Sequence, residues 1–481
     1  MNGRTLRACL AAPLVALTIG AAPPDRSAPP AAGPTPPFKS PAVKKSALPN
    51  GLVVYVAEAH DVPVVAVDLW VRSGAVTDSK ERAGLASLAA DMLDEGAGRR
   101  SSLEIADEVD YLGASLSTAG GWETTAIHLF VPVKRLEPAL AIMADVALRP
   151  TFPETELERL RKERLTMLLQ WRDDARSLSS VAFRQRVYGT DNRFGIPAPG
   201  TEESIRALTR DDLIRFHKEH FVASNAAIVV VGDVDAAAVL KMIEGAFGDW
   251  DRGRAPEGVN APEAAHGATS VTIVDREGAA QTEIRIGAVG PTRGTPDYFA
   301  LTVLNTVLGG SFTSRLQQNL REEHGYAYGA ASRFEMNRGS GLFFAGAGVQ
   351  TAVTDSALFQ FMKELRGIRG PATEEELSRA KNNIALSFPA DFETSQQIAG
   401  RIAEIYLFDL PEDYFARYID EIGTVTLEDL ARVANRYVDP DRMEIVLVGD
   451  RAQIQANVEK LGLGEVRTLT VEDILGKPPK V

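Results

Sequence analysis

A repeat within the chain is the sequence feature that most constrains its fold. When the sequence is shifted by 217 residues, the segment from Leu208 aligns without gaps on the segment from Val425, with nine identities over L-T-R-D-D-L to V-V-G-D. Each copy has a Thr before an amphipathic helix, then a turn and an apolar strand that ends in Gly-Asp. The repeat predicts two copies of one α+β unit.

The start of a second helix is repeated as well. F-P-E-T-E-L-E-R-L-R-K from Phe152 corresponds to P-A-T-E-E-E-L-S-R-A-K from Pro371. Between the copies, residues 249–270 are rich in Gly, Pro, Ala and charge without a regular period, which is typical of a linker. We therefore predict one domain over residues 46–248 and a second over residues 271–481, each long enough for its own core.

The N-terminal residues have the composition of an export signal and a tether. Residues 1–22 combine two arginines with an apolar run too short to span a bilayer, as in a secretory signal peptide. Residues 23–45 are rich in Pro and Ala, which favours extended chain over a packed core. We expect an exported, periplasmic chain whose only cysteine, Cys9, is removed with the signal.

Charge and hydropathy argue against two kinds of partner. The formal net charge is −13, which disfavours binding to nucleic acid and slightly favours basic peptides. After the signal, no apolar run reaches the roughly 18 residues that a membrane-spanning helix needs. We therefore expect neither a nucleic-acid partner nor a membrane span.

The first half begins with predicted strands, a loop and a helix in a distinctive order. L-V-V-Y-V from Leu52 and V-V-A-V-D-L-W-V from Val64 predict two adjacent strands, and S-G-A-V-T-D-S-K-E-R-A-G-L-A-S-L-A-A-D-M-L then predicts a loop and a helix from about Ala83. This order resembles the pitrilysin and insulinase family of zinc peptidases, in particular its mitochondrial-processing-peptidase-like branch. The resemblance covers nearly all of the chain after residue 46. It implies an α+β fold of two homologous halves, each a mainly antiparallel β-sheet packed with α-helices.

The resemblance also shows that the metal-binding residues of the family are missing. Active members carry H-x-x-E-H on this helix, with two histidines as zinc ligands and the glutamate as general base; Ser87, Ala90 and Asp91 stand at those places. A third ligand, a glutamate about 75 residues further on in the family pattern, would fall at Thr166 or Met167. Zinc needs about three donors, so we expect no cofactor in this chain.

Two histidines offer an alternative metal site. His217 and His220 share one face of a helix, a spacing compatible with a metal. The second copy of the repeat has Ala434 and Tyr437 at these positions. This comparison favours a packing role for both histidines.

A second family motif is present in residues 302–329, T-V-L-N-T-V-L-G-G-S-F-T-S-R-L-Q-Q-N-L-R-E-E-H-G-Y-A-Y-G. It resembles the corner in which an Arg and a Tyr seven residues apart point at the zinc site of the other half. By that match they are Arg321 and Tyr328, with Tyr326 as the alternative phenol. Such a pair would stabilise the oxyanion of amide hydrolysis. The alternative is that Arg321 pairs with neighbouring glutamates and that Tyr328 is strand packing.

Local signals near this motif predict a helix that ends at Gly309-Gly310 and another that starts at Ser311 or Thr313 and ends at Gly325. In the first half, residues 113–125 resemble the edge strand that receives peptide in zinc-bearing members.

In the second half, the apolar, glycine-rich run from Ser340 predicts either a core strand or a peptide-binding edge.

These features predict the zinc-free subunit of a two-chain peptidase. Such a chain is inactive alone and donates Arg321 and Tyr328 to a homologous partner that carries H-x-x-E-H, holds zinc and hydrolyses peptides. One alternative is a non-catalytic peptide-binding or structural subunit of the same fold. Another is an enzyme that is active alone with an unusual metal.

Overall fold

The computed structural model describes residues 38–254 and 267–480. The predicted signal peptide, residues 1–22, and all of the predicted tether before residue 38 lie outside the described residues. Within the described ranges, no helix is both long enough and apolar enough to cross a lipid bilayer.

The strands are β1 (Lys44–Ala47), β2 (Val53–Glu58), β3 (Val64–Val71), β4 (Gly96–Ala97), β5 (Arg100–Ser101), β6 (Ser115–Gly120), β7 (Thr125–Pro132), β8 (Ala226–Gly232), β9 (Ser270–Asp275), β10 (Gln281–Gly290), β11 (Ala331–Met336), β12 (Gly341–Gln350), β13 (Glu444–Gly449) and β14 (Glu465–Leu469). The helices are α1 (Leu85–Asp91), α2 (Ser102–Tyr111), α3 (Leu136–Leu148), α4 (Glu154–Trp171), α5 (Ala175–Tyr188), α6 (Glu202–Ala207), α7 (Arg210–His220), α8 (Ala236–Phe247), α9 (Tyr298–Leu308), α10 (Arg315–Gln317), α11 (Thr354–Gly367), α12 (Glu374–Ser387), α13 (Ser395–Leu407), α14 (Tyr414–Thr424), α15 (Leu427–Tyr437), α16 (Arg451–Lys460) and α17 (Val471–Leu475).

The two halves share one sheet topology. The first sheet has the order β1-β2-β8-β3-β7-β6, and the second, read from its far edge, has the order β14-β9-β13-β10-β12-β11. The five strands β2-β8-β3-β7-β6 correspond in order and direction to β9-β13-β10-β12-β11. The first pair is parallel in each half, β2 with β8 and β9 with β13. Most other neighbouring strands are antiparallel. The predicted α+β fold of two homologous halves with mainly antiparallel sheets is confirmed.

The predicted adjacency of β2 and β3 is wrong. β8 lies between them, parallel to β2 and antiparallel to β3. Every residue of β8 is buried, because its A-A-I-V-V-V sequence can be covered on both faces, and such a strand belongs in the interior of a sheet.

Each half contributes a helix to the core of the other half. α5 packs on β10 and β13 of the second sheet, whereas α13 packs on β3 and β8 of the first. Ile402 and Ile405 of α13 share one buried apolar cluster with Val229 and Val231 of β8. This exchange joins the described residues into a single compact unit.

Both ends of the predicted linker and the C-terminal end of the predicted tether are part of the folded structure: β9 begins at Ser270, the last residue of the predicted linker. Trp250 is buried, and its indole N–H donates to the Phe221 carbonyl at 2.9 Å. Residues 255–266 of the predicted linker, residues 249–270, lie outside the described residues. β1 begins at Lys44, within the predicted tether, and pairs with β2.

Candidate functional site

The corner predicted from residues 302–329 begins where α9 ends, at Leu308. α10 starts after Ser314, which is its N-cap, so the predicted start at Ser311 or Thr313 is wrong. The Ser311 hydroxyl donates instead to the Thr306 carbonyl at 3.0 Å, and it therefore closes the end of α9 rather than opening the next helix.

The helix that carries Arg321 is irregular. α10 continues as a π-helical segment over Gln318–Glu323, and Gly325, at φ 64°, follows its end. Wide π turns change the direction of side chains and are frequent at functional sites. The buried Asn319 side chain fixes this segment on α11, since its amide donates to Glu364 at 2.7 Å and to Gln360 at 3.1 Å.

Arg315 anchors the start of the corner on α12. Its Nε and Nη2 donate to the two carboxylate oxygens of Glu376 at 2.6 and 2.8 Å. Glu376 also accepts the backbone N–H of Thr373 at 2.8 Å, as part of the cap of α12. The hydrogen bond from Arg315, followed by those from Thr373, lowers the pKa of Glu376 to about 2. These hydrogen bonds attach α10, at the start of the corner, to the first turn of α12.

Arg321 and Tyr328 lie side by side in this corner. The guanidinium carbon of Arg321 is 5.5 Å from the ring centroid of Tyr328 and 4.5 Å from that of Phe312. The Tyr328 side chain is 93% exposed and that of Phe312 is 63% exposed. Tyr328 is therefore not a packing residue in this chain. Arg321 is only partly exposed, and its Nε lies 3.5 Å from the Glu322 carboxylate, as the alternative for this residue expected. A partly exposed, ion-paired cation and a fully exposed phenol therefore stand together at the surface.

The neighbouring aromatic residues differ in their surroundings. Tyr326 stacks on His324, with 5.0 Å between ring centroids, and is partly buried against the core. Tyr328 is accordingly the exposed phenol beside Arg321. Phe312 was not predicted to be part of this site. A large apolar residue directly after G-G-S in a loop could have indicated it.

α1, the helix in the place of the family zinc helix, is capped by a buried carboxylate. Asp78 accepts the backbone N–H groups of Gly84 and Ala86, each at 2.9 Å. Arg193 donates to it at 3.2 Å. Burial raises the pKa of Asp78 to about 6, against the opposing effect of Arg193. Gly84 precedes α1 at φ 96°, a left-handed conformation that favours glycine.

Ser87 and Asp91 of α1 both bind the guanidinium group of Arg164 on α4. Arg164 donates from Nη1 to the Ser87 hydroxyl at 2.8 Å and from Nη2 to Asp91 at 2.6 Å. Nη1 also lies 3.3 Å from the carbonyl oxygens of Gly84 and Pro199. Arg164 is 7% exposed. A buried guanidinium joins the two side chains that stand in the places of the zinc ligands, and this set of groups does not fit zinc.

The other positions of the family zinc site carry no metal donor. Ala90 is buried against β6, where a Cβ on Gly120 would lie 3.0 Å from the Ala90 Cβ. Thr166 donates to the Lys162 carbonyl of its own helix. Met167 packs with Leu165 in a separate apolar cluster.

The role of Arg164 was not predicted from the sequence. The available signal was a charged residue in the apolar stripe of α4, four residues after Leu160 and four before Leu168, both buried. A charged side chain in such a stripe needs a polar partner on the element that covers it.

The histidine pair of α7 takes part in packing. His217 contacts the Ala147 carbonyl through Nε2 at 2.8 Å and stacks on Phe221, while His220 stacks on Phe216. Burial lowers the pKa of both histidines. In the part of the chain that the structure describes, no group of three or more His, Cys, Asp or Glu side chains is placed to hold a metal ion.

Two family models match the chain in succession. The model described as "Insulinase (Peptidase family M16)" matches residues 53–190. The model described as "Peptidase M16 inactive domain" matches residues 207–384. Together they cover more than half of the sequence: the first lies within the first half of the fold, and the second begins near the end of the first half and continues into the second.

Similar proteins span most of the chain. A protein of Mycobacterium leprae named "uncharacterized zinc protease" is 27% identical over 405 residues, which are 83% of this chain and 90% of that protein. A Bacillus subtilis protein named "uncharacterized zinc protease YmxG" is 24% identical over 402 residues, 83% of this chain and 96% of that protein.

Solved structures have the same fold. The structure of a "peptidase M16 inactive domain" from Pseudomonas fluorescens superimposes with a TM-score of 0.80 at 25% identity and covers 85% of this chain and 98% of that chain. A protease from Helicobacter pylori superimposes with a TM-score of 0.75 at 20% identity and covers 85% and 100%.

Proposed function

The chain belongs to peptidase family M16, the insulinase family, and from this premise we propose that it is the zinc-free subunit of a two-chain peptidase. It donates Arg321 and Tyr328 to a homologous partner that carries H-x-x-E-H, holds the zinc ion and hydrolyses peptides. The single observation that carries this proposal is the contact between Arg321, which is partly exposed, and Tyr328, which is almost fully exposed. In the same chain, Arg164 occupies the place of the family zinc site on α1 by binding Ser87 and Asp91.

The chemistry of the pair suits amide hydrolysis. The tetrahedral intermediate carries a negative oxygen, and hydrogen-bond donors aimed at it lower the barrier by about 3–4 kcal/mol each. The phenol of Tyr328 is a neutral donor and the guanidinium of Arg321 a permanent cation. In the proposed partner, zinc supplies the activated water. This chain then contributes to the polarisation of the peptide carbonyl.

The exposure of Tyr328 supports a role in contact with another molecule. Tyr328 is 93% exposed and therefore contributes little to the stability of its own chain. The corner beneath it is held by Arg315 and Glu376, so the two donors are presented by a fixed support. Preorganised donors stabilise a transition state better than mobile ones, because little reorganisation is needed during the reaction.

The proposed place of action is outside the cytoplasm. This part of the proposal rests on the sequence of residues 1–22, which has the composition of a secretory signal. An exported chain would meet its partner and its peptides in the periplasm.

The proposal is tested by adding the purified chain to an M16 chain of the same organism that carries H-x-x-E-H. Peptide hydrolysis by a fixed amount of that partner should rise at least about tenfold and level off at one chain per partner. A complex that forms on a sizing column without any gain in hydrolysis would reject the catalytic role. It would instead favour a structural or peptide-binding subunit.

A further inference from the structure

A second candidate site lies in a cavity of about 380 Å³ between α9, β11 and α13. Of the motif over residues 302–329, only Thr302, Asn305 and Thr306 of α9 line it, and neither Arg321 nor Tyr328 does. Its lining combines three arginines with aromatic rings. The arrangement of these groups indicates the kind of ligand that it would take.

Arg293 is the most unusual member of this lining. It is 6% exposed, and no carboxylate of the described residues lies within ion-pair distance of it. Its guanidinium carbon lies 3.6 Å from the ring centroid of Tyr298, and its Nη2 donates to the Tyr414 hydroxyl at 2.8 Å. These contacts partly replace water, but a buried cation without a counter-charge remains costly. An anion in the cavity would remove that cost.

The other charged groups at the cavity leave an excess of positive charge. Arg401 is neutralised within the protein, since it donates to Glu404 at 2.7 Å and also to Asp391. Arg333, on the edge strand β11, is exposed and has no ion pair with any other described residue. Within the described ranges, Arg293 and Arg333 have no carboxylate partner, whereas Arg401 has two, so these three arginines and two carboxylates leave an excess of one positive charge, although the whole chain has a net charge of −13.

The rest of the wall is suited to an apolar group. Tyr298, Phe334 and Phe408 supply aromatic surface, while Thr302 and Asn305 add neutral hydrogen-bonding groups. Pockets of this composition bind the apolar part of a ligand through the rings and orient it through the polar groups. The ligand should therefore carry a carboxylate and an apolar side chain close together.

We propose that this cavity binds the C-terminal carboxylate of a peptide whose last residue has an apolar or aromatic side chain. A C-terminal residue places a main-chain carboxylate directly beside its own side chain, as the lining requires. The side-chain carboxylate of Asp or Glu offers no such neighbouring apolar group. Arginine suits this role because its planar guanidinium pairs with carboxylates in a fixed geometry.

The test uses the full chain alone and measures binding calorimetrically, with N-acetyl-phenylalanine as probe and N-acetyl-phenylalaninamide as its uncharged match. The carboxylate should bind saturably and at least about tenfold more tightly than the amide. Arg333→Ala and Arg293→Gln should each weaken binding of the carboxylate about fivefold or more, whereas Arg293→Lys should retain part of it. Arg99→Ala, which changes an exposed arginine outside the cavity, is the matched control.

Equal affinities for the carboxylate and the amide would overturn the proposal. An unchanged affinity in Arg333→Ala, a surface substitution that leaves the core intact, would do the same even if Arg293→Gln does not fold. Because no partner chain is present, failure here leaves the proposed peptidase role untouched. Conversely, Arg321→Ala should bind the probe as the unaltered chain does.

Discussion

Replacement of Arg321 by Ala, or of Tyr328 by Phe, is expected to lower kcat of the two-chain peptidase about 100-fold or more. Each change removes a donor that acts mainly on the charge of the transition state, so kcat should fall more than KM rises. The measurement is steady-state hydrolysis of a fluorogenic peptide by the complex, at saturating amounts of this chain. The two changes together should cost less than the product of their separate effects, since both act on one oxyanion.

The matched control is Tyr326→Phe. It removes a phenol from the same loop, but one whose ring stacks on His324 instead of lying at the Arg321 guanidinium. Its kcat should stay within about twofold of the unaltered complex, because the hydroxyl is not aimed at the reaction. If Arg321→Ala and Tyr328→Phe kept full activity, the catalytic role would be rejected. A change in KM alone would assign the pair to substrate binding.

Replacement of Arg164 by Met is expected to lower the free energy of unfolding by about 2–3 kcal/mol. The substitution removes the guanidinium that joins Ser87 and Asp91 while it keeps much of the side-chain volume. The loss should be smaller than for a fully buried pair, because the Asp91 side chain is 44% exposed and can be hydrated. Urea denaturation of the isolated chain, followed by tryptophan fluorescence, measures it.

Arg159→Met is the comparison for that measurement. Arg159 lies on the same helix and contacts Glu95, Glu156 and Glu163, but its side chain is 43% exposed. Exposed ion pairs contribute little, so its loss should stay below about 1 kcal/mol. Similar losses in the two variants would contradict the assignment of Arg164 as the buried connection between α4 and α1.

Much of the fold could be predicted because the repeat has strong local signals. The Thr residues of the two copies, Thr209 and Thr426, both cap a helix and form a capping box with an Asp three residues later. Strand order was harder to predict. β8 comes far along the chain and inserts between β2 and β3, a position that depends on long-range pairing rather than on local pattern.

The candidate site likewise contains some residues that could be predicted from the sequence and others that could not. Arg321 and Tyr328 come from one contiguous motif, and the end of the π-helical segment followed by the turn at Gly325 brings them together, so both could be predicted from the sequence. Arg164 contacts Ser87 and Asp91 across more than 70 residues of sequence. That contact depends on how α4 packs on α1, which no local pattern encodes. The excess charge at Arg293 is likewise visible only once the buried neighbours are known.

We propose that this chain has no metal centre of its own and lends Arg321 and Tyr328 to a centre that another chain holds. Zinc analysis of the isolated, untagged chain after dialysis, combined with a peptide hydrolysis assay on the same sample, tests it most directly. We expect about 0.1 zinc ion per chain or less and no hydrolysis. One tightly held zinc ion per chain, together with unaided peptide cleavage, would contradict it.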